Sequence, residues 1–326
     1  MANAFDDGAL KAHGRAAGGW KSWSTKKRLL VIGSVLLVIV ALAVGLGVGL
    51  GIGLGGGGGG GEEEGGGEGE TPGGGGNVTT AKWQPAVGTK WQIVLYYPLN
   101  DTSVDADIYD IDLFNNDKAT LDALHKQGRK VICYFSAGSW ENWRPDKDKF
   151  KDSDKGSVMD GWPNEKWLNL RSANVRSIMQ TRLDMAVQKG CDGVDPDNVD
   201  AYDNDGGGLD LTAEDSINYM TWLANEAHGR NMSIGLKNAG QIIPSVIKNM
   251  QWSVNEQCAQ YSECDTYAPF VQQGKPVFHI EYPKGDDTNN QMSVTASQKN
   301  KACDFGYGNF STVIKNMDLD NWIETC

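Results

Sequence analysis

Short apolar segments that alternate with amphipathic ones are the feature that most restricts the fold of this chain. Eight such segments are rich in Val, Ile, Phe, Tyr and Trp, the residues that favour β-strands. They span residues 91–97, 106–114, 130–138, 191–198, 232–238, 252–258, 276–282 and 310–316. Strands that alternate with helices pair in parallel, and eight such units predict an α/β fold, a (β/α)8 barrel of the TIM type.

The intervening helical segments have recognisable ends. Ser172 precedes a segment with apolar residues at helical spacing, and Gly190 marks its end. Thr212 begins a second segment of the same design, and a third segment ends at Gly128. These signals predict helices on the outside of the barrel.

The first 80 residues differ from the rest of the chain. Residues 29–54 carry no charge over 26 positions, more than the roughly 20 apolar residues that a membrane-spanning helix needs. Basic residues precede this segment and acidic residues follow it, which predicts a cytoplasmic tail (1–28) and a transmembrane signal-anchor (29–54). A cleaved signal peptide is the alternative, but the apolar run is longer than the apolar region of a signal peptide, and no clear A-x-A cleavage site follows.

The chain beyond this segment would lie outside the cell, as a single-pass type II protein of the cell membrane. Residues 55–80 are almost entirely Gly and Glu, which predicts a flexible, disordered linker. Residues 81–326 form one domain with a net charge of −11. An acidic domain argues against a nucleic-acid partner and suits a cationic one. We expect this domain to be a monomer.

All six cysteines lie in residues 81–326, and an even number in an exported domain predicts disulfides. Cys258 and Cys264 are close enough in sequence to close a small loop. The remaining pairs that we adopt are Cys133–Cys191 and Cys303–Cys326, with buried free thiols as the alternative, above all for the mid-strand Cys133. Four sequons are candidates for N-glycosylation outside the cytosol, and they begin at Asn77, Asn100, Asn231 and Asn309.

Polar side chains occur at the C-terminal ends of six predicted strands, where the active sites of such barrels lie. In chain order they are Asp110 and Asp112, Tyr134 and Ser136, Asp195, Asp197 and Asn198, Lys237 and Asn238, Asn255 and Glu256, and His279, Glu281 and Tyr282. Six polar ends on one rim predict a functional site there. The long connection at 138–170 is typical of functional loops. Its Trp143, together with Tyr202, would offer flat faces that stack on sugar rings.

Carboxylates at opposed positions are what glycoside hydrolysis requires. One of them, protonated, donates to the leaving oxygen, and the other attacks the sugar or activates water. Crowding raises the pKa of one carboxyl and keeps it protonated near neutral pH. Asp195 and Asp197 share a face of an extended strand, with Pro196 opposite, so the spacing leaves open which aspartate reaches the substrate.

Several of these residues have a structural interpretation as well. Asp192 and Asp200 are as suited to capping helices or pairing with arginine as to binding substrate. Asp110 could bond loop amides. Lys237 fits an ion-pair partner better than a Schiff-base amine, and His279 fits a hydrogen-bonded wall residue better than a base.

Two other functional classes compete with a hydrolase. A catalytically inactive sugar-binding barrel, such as a cell-wall adhesin, would keep the aromatic rim without needing both acids. A metal-dependent phosphodiesterase would use the aspartates as ligands, but that class usually needs histidines. This domain has only His125, His228 and His279, and the first two lie in helical segments. We therefore expect no metal and no cofactor.

The strand-end motifs together resemble the fungal endo-alpha-1,4-polygalactosaminidases of glycoside hydrolase family 114. The most specific ones are "YFSAG" (134–138), "DGVDPDN" (192–198) and "NEQC" (255–258). The resemblance covers nearly all of residues 83–326, and the membrane anchor and glycine-rich spacer also resemble some fungal members.

This resemblance implies a TIM-like barrel that cleaves α-1,4-linked galactosamine polymers internally, in a galactosaminogalactan-type polysaccharide. The catalytic pair of the family maps onto Asp197 and Glu256, with Asp195 as the second choice for the aspartate. Acidic and aromatic residues of the family's cleft map onto Asp110, Asp112, Tyr134, Glu281 and their neighbours. A deacetylated galactosamine unit is a cation, which agrees with the acidic charge of the domain.

Overall fold

The structure is a computed structural model that describes residues 81, 83–307 and 309–326. The predicted cytoplasmic tail, signal-anchor and linker, together with the sequon at Asn77, lie outside the described residues, and they stay predictions. Within the described residues, no helix combines the length and the apolar character needed to cross a membrane.

Twelve strands run through the described residues. They are β1 Trp91–Val94, β2 Ile108–Asp112, β3 Lys130–Ser136, β4 Ser139–Glu141, β5 Lys155–Met159, β6 Trp162–Leu168, β7 Gly193–Asp197, β8 Ser233–Lys237, β9 Trp252–Glu256, β10 Val277–Glu281, β11 Ser311–Lys315 and β12 Ile323–Thr325. Eight of them pair in parallel in the order β1-β2-β3-β7-β8-β9-β10-β11, and β12 is antiparallel to β11.

Each of the eight predicted segments contains one of the eight parallel strands, so the predicted barrel is confirmed. The two ends of this sheet meet through side chains. The Trp91 indole nitrogen donates to the Ser311 carbonyl oxygen at 2.7 Å, and Lys315 donates to Gln92 Oε1 at 2.8 Å. These bonds hold β1 beside β11.

In the part of the chain that the structure describes, the helices are α1 Lys118–Lys126, α2 Ala173–Lys189, α3 Ala213–Gly229, α4 Ile243–Val246, α5 Cys258–Tyr261, α6 Ala268–Gln272 and α7 Ala296–Cys303. Their ends follow from local capping chemistry, as predicted. The Ser172 hydroxyl accepts from the backbone at the start of α2, and Gly190 ends that helix in the left-handed conformation. Thr212 and Asp215 form a reciprocal capping box on α3.

The long connection between β3 and α2 is not a simple loop. Its strands β4, β6 and β5 form a three-stranded antiparallel sheet, which we call the accessory sheet. β4 begins three residues after β3 ends, so the accessory sheet is attached directly to the C-terminal rim of the barrel. The sequence did not predict it because these strands mix charged residues with tryptophans.

Two apolar cores support the barrel. One lies between the strands and the surrounding helices, and the other fills the barrel interior with residues such as Ile93, Ile108 and Phe278. The fully buried Trp252 lies in this interior core. It needs glycine on β7 and on β8, because a Cβ at Gly193 would lie 2.5 Å from the Trp252 ring and one at Gly235 would lie 2.0 Å from its indole nitrogen.

All three predicted disulfides form. They join Cys133 to Cys191, Cys258 to Cys264 and Cys303 to Cys326, so the alternative of a free thiol at Cys133 is wrong. The sequons at Asn100, Asn231 and Asn309 are exposed. Their glycosylation remains a prediction.

Replacing Gly235 by alanine should destabilise the protein, because the new methyl group would overlap the Trp252 indole. Overpacking of this kind costs about 1–3 kcal/mol or more. Gly229→Ala is the matched control, because a Cβ at Gly229 has open space around it at the end of α3. Urea denaturation should show a large loss in the free energy of unfolding for Gly235→Ala and no loss for Gly229→Ala. Equal stability of the two variants would contradict this packing.

Candidate active site

The barrel interior changes from apolar to polar towards the C-terminal ends of the strands. Side chains alternate along a strand, so Asp110 faces inward like Ile108, and Tyr134 faces inward like Ile132. Lys237 follows Gly235 at the same spacing. Inward-facing polar residues from different strands therefore meet above the apolar interior.

Lys237 lies at the centre of this polar layer. Its ammonium nitrogen is 3.1 Å from Asp197 Oδ2 and 3.1 Å from Glu256 Oε2. The Lys237 side chain is 2% exposed, whereas those of Asp197 and Glu256 are 15% and 22% exposed. Both carboxylates are therefore open to solvent on one side and share a single buried cation on the other.

Asp197 is held by three donors. Besides Lys237, the Tyr134 hydroxyl donates to Oδ2 at 2.9 Å, and the backbone N–H of Asn198 donates to Oδ1 at 2.7 Å. Because these donors come from β3, β8 and the loop after β7, the orientation of Asp197 is fixed from several directions.

Glu256 is held in a similar way. The Tyr282 hydroxyl donates to Oε1, and the Asn238 amide donates to Oε2 at 3.2 Å, beside Lys237. The Asn238 amide oxygen in turn accepts from the backbone N–H of Glu256 at 3.0 Å. Asn238 therefore aligns both the main chain and the side chain of this residue.

Electrostatics keep the upper part of the site charged. Burial alone would raise the pKa of Glu256, but Lys237 and the hydrogen bonds from Tyr282 and Asn238 outweigh it and hold that pKa below its usual value. Burial would lower the pKa of Lys237, but Asp197 and Glu256 raise it. Glu256 is therefore ionised and Lys237 protonated at neutral pH.

Two further aspartates lie below this charged layer. Asp110 and Asp195 are fully buried, and their carboxyl oxygens have no hydrogen-bond partner in the described chain other than each other. Burial and the neighbouring Asp195 raise the pKa of Asp110 well above its usual range, and burial raises the pKa of Asp195 to about 7. We infer that this pair shares a proton at neutral pH.

The shared proton predicts a pH-dependent cost of folding. A carboxyl whose pKa is raised in the folded protein contributes no penalty below its unfolded pKa, and the penalty grows as the pH rises towards the folded pKa. Asp110→Asn removes the penalty and keeps a donor for Asp195. Its melting temperature should exceed the native one by about 2–4 °C at pH 8, the equivalent of about 1 kcal/mol.

At pH 4 the Asp110→Asn variant and the native protein should have the same melting temperature. The control is Asp122→Asn on the exposed surface of α1, where Asp122 pairs with Lys118. That change should give no gain that depends on pH. An Asp110→Asn variant that melts below the native protein at pH 8 would show that the pair is stabilising in its charged form.

Asp112 faces inward by strand alternation, but its carboxylate is paired within the protein, which argues against the predicted contact with substrate. It is 2% exposed, and both of its oxygens accept from Arg144, at 3.0 and 2.7 Å. Arg144 also pairs with Glu141 at 2.7 Å. Asp112 therefore anchors the accessory-sheet region to the barrel.

Asn255 and Glu281 also lie apart from the pocket, because strand alternation directs them outward while Glu256 and Tyr282 point inward. The Asn255 amide oxygen accepts from the backbone N–H of Cys258 at 3.2 Å. Glu281 Oε1 accepts from the backbone of Ala259 at 2.8 Å, at the start of α5. Both residues shape the loop after β9, which argues against the predicted direct contact with substrate.

The other predicted residues lie at or near the rim. Ser136 is fully buried and bonds to Asn198 and Ser139. Tyr202 is half-buried on the loop after β7, and Trp143 is half-buried with the Arg144 guanidinium 5.9 Å from its ring centre. Ser136 is thus part of the support of the site rather than of its surface.

The structural interpretations of Lys237 and His279 agree with the contacts found, and Asp192 is held within the protein by partners other than the predicted arginine or helix end. Lys237 forms ion pairs with the two carboxylates. His279 is fully buried and bonds to Thr312 and Glu281. Asp192 directly precedes β7, at the opposite end of that strand from Asp197. It accepts from His125 and Lys130 there.

Sequence reasoning missed the buried acids of the accessory sheet. Glu165 lies on β6, is 7% exposed, and accepts from the Ser139 hydroxyl at 2.6 Å. Burial and the neighbouring Glu141 raise its pKa to about 8. The only signal in the sequence was the unusual length of the connection that contains it.

Among the described residues, one group has the composition of a metal site, namely Cys258, Cys264 and His279. Its two sulfurs form a disulfide, so they are not thiolates that could bind an ion. His279 therefore keeps its role as a hydrogen-bonded wall residue.

The comparisons with known proteins agree with this geometry. The sequence model of glycoside-hydrolase family GH114 matches residues 76–326. The crystal structure of Aspergillus fumigatus Ega3 in complex with galactosamine is 78% identical, covers 77% of this chain and 100% of that chain, and superposes with a TM-score of 0.76. No curated protein matches the sequence.

A more distant match supports the fold alone. The glycoside hydrolase domain of PelA from Pseudomonas aeruginosa is 12% identical, covers 72% of this chain and 98% of that chain, and has a TM-score of 0.55. A barrel with two solvent-facing carboxylates at the ends of its strands is the architecture of a glycoside hydrolase. The chain belongs to glycoside hydrolase family GH114, as the resemblance of its motifs implied.

Proposed function

We propose that this protein is an endo-glycosidase that cleaves α-1,4-linked, deacetylated galactosamine in a galactosaminogalactan-type polysaccharide, with Asp197 and Glu256 as its catalytic pair. The observation that carries the proposal is the shared contact of both carboxylates with Lys237, each at 3.1 Å. The 78% identity to Ega3, whose structure holds galactosamine, supports the choice of sugar.

The geometry favours cleavage with retention of the anomeric configuration. Because Asp197 Oδ2 and Glu256 Oε2 each lie 3.1 Å from one nitrogen, they are separated by at most twice that distance, 6.2 Å. Carboxyl groups lie about 5–5.5 Å apart in retaining enzymes and about 6.5–9.5 Å apart in inverting ones. The upper bound on these two oxygens lies below the inverting range, which supports a retaining mechanism.

Retention requires a double displacement. One carboxylate attacks the anomeric carbon while the other carboxyl protonates the leaving oxygen, and a water then hydrolyses the glycosyl-enzyme. Lys237 and the tyrosine donors hold the pair in fixed orientation, so little reorganisation is needed as charge develops. Lys237 favours the ionised form of Glu256, so this residue must acquire a proton before each turnover if it is the acid.

A carboxylate without an ion-pair partner in the described chain, that of Asp200, lies near Asp197 and could bind the cationic substrate. Asp200 is half-buried on the loop three residues after Asp197, and no lysine or arginine of the described chain forms an ion pair with it. Burial, followed by the charge of Asp197, raises the pKa of Asp200 to about 7. A bound ammonium group would lower that pKa and supply the missing partner, which supports Asp200 as a contact of the amino sugar.

The charge of the catalytic pair can be tested by isosteric changes. Asp197→Asn and Glu256→Gln should each reduce cleavage of deacetylated galactosaminogalactan by about 10²–10⁴-fold or more, while thermal melting stays cooperative. Asp122→Asn on α1 should keep native activity. Full activity of both catalytic variants would refute the assignment, and a folded native protein that binds the polymer without cleaving it would favour the sugar-binding alternative.

The stereochemistry is a second test. Proton NMR of the first reducing ends should show the α-anomer before mutarotation, because retention preserves the configuration of the cleaved α-linkage. The β-anomer as the first product would mean that the two carboxylates separate further when substrate binds, and that the enzyme inverts.

The substrate charge is a third test. Asp200→Asn should reduce kcat/KM on deacetylated polymer by about 10-fold, the equivalent of 1.4 kcal/mol, and should change turnover of the N-acetylated polymer much less. Asp203→Asn is the control, because Asp203 is exposed on the same loop. If Asp200→Asn lowers both activities equally, the residue does not recognise the ammonium group.

We also propose that the enzyme acts outside the cell, held at the membrane by residues 29–54. The three disulfides of residues 81–326 support an oxidising compartment. Three exposed sequons are compatible with it. Protease protection of the N-terminal tail in sealed cells would test this topology.

A further inference from the structure

The accessory sheet is bonded to the strand end that carries Asp197. The backbone N–H groups of Ala137 and Gly138, in the turn between β3 and β4, donate to the Asp197 carbonyl oxygen at 2.9 and 3.0 Å. The turn fits so closely that a Cβ at Gly138 would lie 1.7 Å from the Asn198 carbonyl oxygen. The main chain at Asp197 and Asn198 is therefore fixed by this turn.

A chain of side-chain hydrogen bonds runs from this point into the accessory sheet. The Asn198 amide donates to Ser136 Oγ at 2.9 Å, the hydroxyls of Ser136 and Ser139 are 2.6 Å apart, and Ser139 donates to Glu165 Oε2 at 2.6 Å. Ser136 and Ser139 are fully buried and Glu165 nearly so. Water therefore does not compete for these bonds.

The direction of the chain follows from the inventory of donors. Each serine hydroxyl has one proton. Ser139 gives its proton to Glu165, so it accepts from Ser136, and Ser136 in turn accepts from the Asn198 amide. The chain ends at an oxygen of Glu165 that must accept. A neutral carboxyl still offers such an oxygen, so the chain persists in either protonation state.

Asn198 connects the chain to the reacting group. Its backbone is left-handed, with φ of 62°, a conformation that is costly for most residues and more tolerable for asparagine. In that conformation its N–H donates to Asp197 Oδ1 at 2.7 Å. A side-chain anchor on Asn198 therefore keeps the donor of Asp197 in place.

We propose that Glu165 is a positioning residue for Asp197, acting through Ser139, Ser136 and Asn198. The inference rests on the proposed catalytic role of Asp197. It gives the accessory sheet a part in the reaction without contact between Glu165 and the sugar. When this chain of hydrogen bonds is interrupted, the Asn198 side chain loses its anchor and Asp197 loses its fixed orientation. Misplacement of a reacting group by about 1 Å can cost about 10²-fold in rate.

The test uses Ser139→Ala, Ser136→Ala and Glu165→Val in the full-length protein, assayed on deacetylated polymer. Each should lower kcat by about 10- to 100-fold and leave KM within about twofold, because Asp197 is misplaced while the substrate surface is kept. Glu165→Gln should restore kcat to within about threefold of native, since the amide oxygen of glutamine also accepts a hydrogen bond.

Coupling between variants separates a chain from a purely structural role. Ser136→Ala combined with Glu165→Val should lower kcat no further than the more damaging single change, because both interrupt the same chain. Asn164→Ala is the control on β6: within the described part of the chain its side chain bonds only Asn142, at 2.9 Å near the surface, and kcat should stay native. If Glu165→Val does not fold, the conservative Ser139→Ala decides the question.

Two results would overturn this inference. Native kcat in Ser139→Ala, with or without a lower melting temperature, would reduce the chain to a structural feature. Multiplicative losses in the double variant would show that the two residues act separately. Asp197→Asn, measured in the same assay, keeps the two proposals apart: if that variant is active, the proposed function fails, and if it is inactive while Ser139→Ala is native, only the positioning role fails.

Discussion

The ion pairs of Lys237 with Asp197 and Glu256 are the interaction on which the site depends. Removing a lysine from water costs several kcal/mol, and this burial is tolerated only because two carboxylates contact the ammonium nitrogen at 3.1 Å. Conversely, two carboxylates this close would raise each other's pKa without a cation between them. The three groups are therefore stable together and costly apart.

This arrangement needs space inside the barrel, which glycine provides. Gly235 lies two residues before Lys237 on β8, and Gly193 lies two residues before Asp195 on β7. Because neither has a side chain, Trp252 extends across the interior and forms an apolar floor. Asp110 and Asp195 lie between this floor and Lys237, where burial keeps a proton on the pair. Charge thus increases from the floor towards the open end of the site.

The sequence predicted what local chemistry determines. The barrel strands follow from β-branched and aromatic residues, and the ends of α2 and α3 follow from Ser172 and Thr212. The polar rim was also found, because it lies at strand ends. Strand alternation could have refined it: Asn255 and Glu256 are adjacent, so only one of them can face inward. Applied strictly, the same rule would have excluded Glu281 beside Tyr282.

Other residues could not be assigned from sequence, because distant partners decide their roles. Asp112 faces inward by alternation, yet Arg144 from the accessory-sheet region occupies both of its oxygens. Glu165 appeared as one acid in a long connection, and only the folded chain brings it to Ser139. The barrel strands thus determine which carboxylates reach the rim. The turn and connection after β3 determine how firmly they are held. The backbone N–H of Gly138 donates to the Asp197 carbonyl oxygen, and the hydrogen-bonded serines accept from the Asn198 amide.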